Sequence, residues 1–205
     1  MPDDKKPPAA HKAVFINDVL TPEGVLLWPK VAQPDTKGPY ADGKYKVTLA
    51  FAKDADFKAL KEGILQAAKD AFGFTDLKQF AHPLRDGDKK AEGKPYLAGK
   101  VFLVAKCKVQ PQVFDGSRKI LSPEALYSGA QGRLLLTAFS YIGSEKVRDG
   151  KTGEIVTVET KGVTLKLEAI QFIKDGPRIG GTDAASKFPV AGESVESEGG
   201  DSLFR

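Results

Sequence analysis

A mainly β domain of about five strands with one amphipathic helix and extra hairpins and loops is what the sequence predicts. Short runs alternate apolar and polar residues with period two, the mark of a strand with one buried face. A single stretch instead has the three-to-four spacing of a helix laid on a sheet, and Gly, Pro and Asp cluster between the runs as turns. At 205 residues and 41% apolar composition, the chain suits one domain with appendages and a sizeable core.

Residues 1–12 are charged and Pro-rich and read as a disordered arm, residues 13–181 as the domain, and residues 182–205 as a flexible Gly, Ser and acid-rich tail. Residues 14–20 and 24–31 are extended segments around Thr21-Pro22-Glu23-Gly24, and Trp28, biased toward extended geometry by the following proline, is either a core residue or a stacking ring. In residues 43–52, Tyr45, Val47, Leu49 and Phe51 form one face and Lys44, Lys46 and Thr48 the other. Asp54 is placed to cap the helix, whose inner side is Phe57, Leu60, Ile64, Ala67, Ala68 and Ala71. Residues 73–99 form a long loop, a feature that in a compact domain accompanies binding or mobility.

The next strand, residues 100–109, is the most informative. Val101, Leu103, Ala105, Cys107 and Val109 make an apolar row, while Lys100, Phe102, Val104, Lys106 and Lys108 face the other way. Asp115-Gly116 marks a turn, and Ser122-Pro123-Glu124 a short helical turn. In residues 132–142 either face serves as core: Leu134, Leu136, Ala138, Ser140 and Ile142, or Arg133, Leu135, Thr137, Phe139 and Tyr141. Residues 143–159 read as a hairpin arm turning at Asp149-Gly150, and in residues 162–173 Val163, Leu165, Leu167, Ala169 and Gln171 share the inner row.

Little in the chain assembles into a catalytic centre. Gly150-Lys151-Thr152 imitates the end of a phosphate-binding loop, but Glu145 stands where the first glycine is needed and the context is a hairpin. His11 lies in the arm and His82 is isolated, so no zinc site or histidine base forms, and no cofactor is expected. Asp86 and Asp88 could hold a divalent cation, which keeps a metal-dependent nuclease open as an alternative. The lone Cys107 fits a reducing cytoplasm as a buried apolar group. The N-terminus lacks the apolar region of a signal peptide, and no apolar run approaches a membrane span, so no membrane partner is expected.

What remains is a surface. Lys44, Lys46, Lys100, Lys106 and Lys108 with Phe102 lie on non-core faces, joined by Arg133, Phe139 and Tyr141 if that face is the outer one. Cations interleaved with flat rings suit single-stranded DNA, where charges follow phosphates and rings stack on bases. Lysines on a wet strand face are otherwise ordinary solubilising groups.

Several separated segments point to a family. Pro83-Leu84-Arg85-Asp86-Gly87-Asp88, residues 96–111, Leu126-Tyr127-Ser128-Gly129 and Asp175-Gly176-Pro177-Arg178-Ile179-Gly180-Gly181 resemble, in this order, a bacteriophage family of single-stranded DNA-binding proteins once catalogued as of unknown function. The likeness spans residues 14–188 and implies an OB-fold, a five-stranded, partly open barrel with a groove on one face. It also implies a protein that coats DNA during phage replication or recombination in the cytoplasm of the infected cell. No contact residues are carried over, so the site candidates rest on face chemistry.

Such proteins often end in an acidic tail with a terminal aromatic that docks phage or host replication proteins. Here Glu193, Glu196, Glu198, Asp201 and Phe204 fit, although Arg205 follows the aromatic and the acids are sparse. These acids against Arg205 leave residues 193–205 at −3, so the other 192 residues carry +7 within the chain's net +4. An oligomer is compatible with the sequence, and a structural phage protein is the remaining alternative.

Overall fold

The computed structural model describes residues 12–39, 41–148 and 154–180. Residues 1–11 of the expected 1–12 arm, the tail, and the Asp149-Gly150 turn with its Gly150-Lys151-Thr152 run lie outside them. In chain order the elements are β1 (Phe15–Leu20), β2 (Gly24–Lys30), β3 (Tyr45–Ala52), α1 (Lys58–Phe72), β4 (Arg85–Asp86), β5 (Lys100–Cys107), β6 (Gln112–Phe114), β7 (Gln131–Arg148) and β8 (Ile155–Lys174). Short 3-10 turns occupy the connections.

Five strands close on themselves. β7 pairs with β2, β2 with β3, β3 with β5, β5 with β8, and β8 returns to β7. β1 adds to β7, β6 to β8, and the short β4 to β5. The expected mainly β architecture with five principal strands and one amphipathic helix is therefore what the chain adopts. Four of the closures are antiparallel, while β5 and β8 run parallel and share the single register pair Lys106 with Lys166.

The alternation of β3 and β5 decides the inside. Val47 with Ala105 and Leu49 with Leu103 are register pairs whose side chains are fully buried. From β7, Leu134, Leu136 and Ala138 join them, which resolves the open face of residues 132–142: the aliphatic row is core, and Phe139 and Tyr141 point out, half-buried. Each large side chain moved from water into this interior stabilises by roughly 1.5–3 kcal/mol.

Helix α1 lays Leu60, Ile64, Ala67 and Ala68 on the ring as its spacing requires. It starts at Lys58 rather than behind Asp54, whose side chain makes no cap; the Lys58 N–H donates to Asp56 Oδ1 at 3.1 Å instead. The helix passes so near β1 that a Cβ on Gly63 would sit 2.6 Å from a Val19 methyl carbon.

Three strand readings are corrected. Phe102 is not on a wet face: residues 95–97 turn back over it, and with Leu27, Ala50 and Leu97 it forms a second small apolar cluster, leaving the ring 7% exposed. Val109 lies past the end of β5 and is 80% exposed rather than core. In β8 the inner row shifts after Leu167, so Ile170 is buried in place of Ala169 and Gln171; the register slips opposite, between Leu135 and Leu136. The long 73–99 segment is also packed rather than loose, since Phe80, Leu84 and Leu97 are buried.

Replacing Gly63 by Val should drive a branched side chain into Val19 and cost about 1–3 kcal/mol of stability, read as a lower urea midpoint with an unchanged slope. An unchanged midpoint would mean that α1 is not held against β1 as described.

Candidate nucleic-acid interface

Register carries a row of lysines across the outer face. Lys30 on β2 pairs with Lys46 on β3, Lys46 with Lys106 on β5, and Lys106 with Lys166 on β8. Like charges directly opposite one another repel, and the sequence answers with acids from nearby segments. Asp35 pairs with Lys46, Asp42 with Lys106 at 2.6 Å, and Glu168 with Lys166 at 3.0 Å. The hydrogen bond from Lys106 holds the Asp42 carboxyl below its ordinary range against the opposing effect of burial. For Glu168, burial pushes upward most strongly, but hydrogen bonds from Thr137 and Lys166 together outweigh it and leave the carboxyl lowered.

Where β5 and β8 meet, a cleft of about 670 Å³ opens. A parallel seam held by one register pair leaves the flanking strands splayed, and the cleft lies in that splay. Val104, Lys106 and Cys107 line it from β5, residues 163–168 from β8, and Phe139 and Tyr141 from β7. Lys44, Lys108, Arg85 and His82 complete the rim. Among the described residues Lys44, Lys108 and Arg85 have no carboxylate partner, so their charge is available to an anion. Tyr141 lies over its register partner Gly162, where a Cβ would come within 2.7 Å of the ring, and Phe139 stacks on Phe15 with centroids 5.6 Å apart.

Two neutral groups belong to the same cleft. Burial lowers the basicity of His82, whose Nδ1 is buried without a partner among the described residues. Burial, reinforced by Glu168, pushes the Cys107 thiol up to about 11, so it stays protonated and unreactive at neutral pH.

The structure gathers Lys44, Lys106, Lys108, Phe139 and Tyr141 of the sequence candidates into one cleft, with Lys46 next to it in the lysine row. It leaves the others elsewhere. Phe102 is covered, Lys100 lies opposite Ala52 at the far end of β5, and Arg133 pairs with Glu23 at 2.5 Å, outside the residues lining the cleft. Sequence reading missed Lys166, Arg85 and His82. Lys166 alternates with a core row, a signal of the same kind as Lys106, whereas Arg85 and His82 reach the site only through the tertiary path of the 73–99 segment.

Asp86 and Asp88 are occupied in another way. Lys53 lies 2.8 Å from Asp86 and 2.5 Å from Asp88, and Asp88 Oδ1 accepts the Gly99 N–H at 2.6 Å. Both carboxyls are lowered, first by the hydrogen bond from Lys53. The pair ties the loop to the end of β3, and among the described residues no cluster of three metal-ligating side chains occurs.

Comparison with known proteins gives the family. The family model described as the single-stranded DNA-binding protein of Enterobacter phage Enc34 matches residues 17–198. The chain belongs to this family of phage single-stranded DNA-binding proteins, which places it among DNA-binding proteins and not among enzymes. The solved structure of the Enc34 protein in complex with single-stranded DNA is 20% identical, with a TM-score of 0.54, covering 82% of this chain and 89% of that one. A second solved structure of the Enc34 single-stranded DNA-binding protein gives a TM-score of 0.51 at 20% identity over 85% of this chain and 89% of that one. Gp2.5 of bacteriophage T7, a single-stranded DNA-binding protein, is 17% identical with a TM-score of 0.47, over 91% of this chain and all of that one, a likeness too distant to argue from. No curated protein matches the chain. Among the described residues no helix is long and apolar enough to cross a membrane.

The lowered carboxyls of Asp42, Asp86 and Asp88 make a pH prediction. Their stabilisation is present above the ordinary carboxylate pKa of about 4 and is lost as pH falls through the lowered values. The thermal midpoint should hold above about pH 5 and drop below about pH 4. Lys53→Met removes the partner of two of the three groups and should make the acid decline shallower; an equally steep decline would show that the Lys53 pairs contribute nothing.

Proposed function

We propose that the chain coats and protects single-stranded DNA with little sequence preference, serving phage DNA replication or recombination, with the DNA laid in the cleft at the β5–β8 seam. Lys44, Lys106, Lys108 and Lys166, with Arg85, neutralise phosphates, and Phe139 and Tyr141 stack on bases. Lys46, one strand from Lys106, extends the same positive field. The observation that carries the reading is the convergence of these cations and two outward rings on one splayed seam in a chain of this family.

The acids that pair with the cleft lysines have a place in this mechanism. Asp42 and Glu168 hold Lys106 and Lys166 extended over the sheet, so the ammonium groups are already placed when phosphate oxygens take over as partners. Exposed ion pairs of this kind are worth only about 0–1 kcal/mol, a small barrier to that exchange. The acidic tail would compete for the same cations and present Phe204 to replication proteins.

Labelled oligo(dT) should bind more tightly than duplex of equal length, and its affinity should fall with salt at a log–log slope of about −0.7 per phosphate neutralised. The double replacement Lys106→Ala with Lys108→Ala should weaken binding and flatten that slope while the melting temperature holds. Equal affinity for duplex, or a slope near zero, would contradict the reading. Removing residues 193–205 should raise affinity at low salt; a truncated chain that binds no better would remove the competing-tail part.

A further inference from the structure

The segments that the sequence singled out but the cleft does not use converge elsewhere on the same sheet face. β2 does not run regularly through Trp28: its register with β3 slips between Leu27 and Lys30. Trp28 sits in that bulge at a φ of 47°, a left-handed conformation that costs a bulky L-residue of order 1 kcal/mol or more unless it is held. It is held. The Trp28 N–H donates to Ser128 Oγ at 2.7 Å, and the Gly129 N–H to the Leu26 carbonyl at 2.9 Å.

The 126–129 segment is clasped in turn by residues 175–179. A Cβ on Gly129 would meet the Pro177 carbonyl oxygen at 2.0 Å, the Ile179 N–H donates to the Ser128 carbonyl, and the Arg178 guanidinium lies 4.3 Å from the Tyr127 ring centre. A regular strand would need none of this. Bulges re-aim side chains, and this one leaves Trp28 39% exposed.

What surrounds the indole is chosen for a flat, negatively charged ligand. Tyr96 meets Trp28 edge-on with centroids 5.6 Å apart, and Lys94 Nζ lies 4.5 Å from the indole centre. Tyr96 packs against the cluster of Leu27, Ala50, Leu97 and Phe102. Ala50 and Phe102 are register partners with the same strand parity as Lys46 and Lys106, so Trp28 and the cleft share one face. Two residues beyond Trp28, Lys30 begins the row through Lys46 and Lys106 to Lys166. Three strand spacings, about 14 Å, separate its ends.

We infer that Trp28, with Tyr96 and Lys94, is a second stacking station for the same single-stranded DNA, reached from the cleft along the Lys30–Lys46–Lys106–Lys166 row. It rests on the proposed function, because it requires a strand already lying in the cleft. A base stacks on the indole as Lys94, whose ammonium lies over the ring in the free protein, turns to an adjoining phosphate, and the lysine row covers the backbone between the two stations. This also gives the Asp86 and Asp88 contacts with Lys53 a purpose: they anchor the loop that presents Lys94 and Tyr96.

Trp28 is the chain's single tryptophan, so its emission reports this station in the unaltered protein. Oligo(dT) carrying a red dye is titrated with the full chain, reading dye anisotropy and indole emission together. Emission should be quenched in step with the anisotropy change. Trp28→Ala should weaken binding about tenfold, and Trp28→Phe, which keeps a ring, by less. Anisotropy that changes while the indole emission stays constant overturns the station and leaves the cleft standing, as does a folded Trp28→Ala variant of unaltered affinity. An oligonucleotide whose anisotropy never changes overturns both.

Discussion

Closing five strands into a ring obliges β5 to meet β8 in the parallel sense, and the two touch in register only at Lys106 and Lys166. The other closures are antiparallel ladders, of which β7 with β8 is the longest. A ring sealed this unevenly stays open along one seam, and the opening is where cations and rings collect. The pair that closes the ring is itself made of two lysines. Their repulsion is relieved by Asp42 and Glu168 in the free protein, and in the proposed complex by phosphate. The backbone pairing that closes the ring therefore also sets two of the cations of the proposed site side by side.

The outer face is the one left for the two proposed stations, because the inner face is fully occupied. Leu49 with Leu103 and Val47 with Ala105 fill the ring, and α1 covers it with Leu60 and Ile64. That leaves the opposite parity of β3 and β5 for ligand. At one end the 94–97 segment covers it, with Leu97 and Tyr96 packed over Phe102. At the other end Lys106 is exposed, with Asp42 beside it. The small apolar cluster is thus a support for Tyr96 and Trp28, and the uncovered lysines are the continuation of the same surface.

Period-two alternation made β3, β5 and the core legible, because one residue per pleat must enter the interior. It also set Lys44, Lys106 and Lys108 off the core row, where they line the cleft. It failed wherever a non-local event intervened. Phe102 has the parity of Lys106, yet a loop nearby in space covers it. The slip between Leu135 and Leu136 turns β8 over beyond Leu167, so Ile170 enters the core where alternation points to Ala169. Trp28 is turned outward by a bulge that depends on Ser128, 100 residues away. Arg85 and His82 reach the cleft by tertiary placement alone, which no local pattern announces. The family likeness supplied the class of protein, while the chemistry of the site emerged only when the strands were put in register.

Photocrosslinking tests the central assignment most directly, since a 5-iodouracil base joins to the aromatic side chain on which it stacks. An oligonucleotide carrying that base at successive positions would be irradiated with the full chain and the joined peptides sequenced. The account predicts crosslinks at Phe139 or Tyr141, on the rim of the β5–β8 cleft. Crosslinks confined to Phe72 and Phe74, at the end of α1 and just beyond it and outside the residues lining the cleft, would place the DNA elsewhere and contradict it.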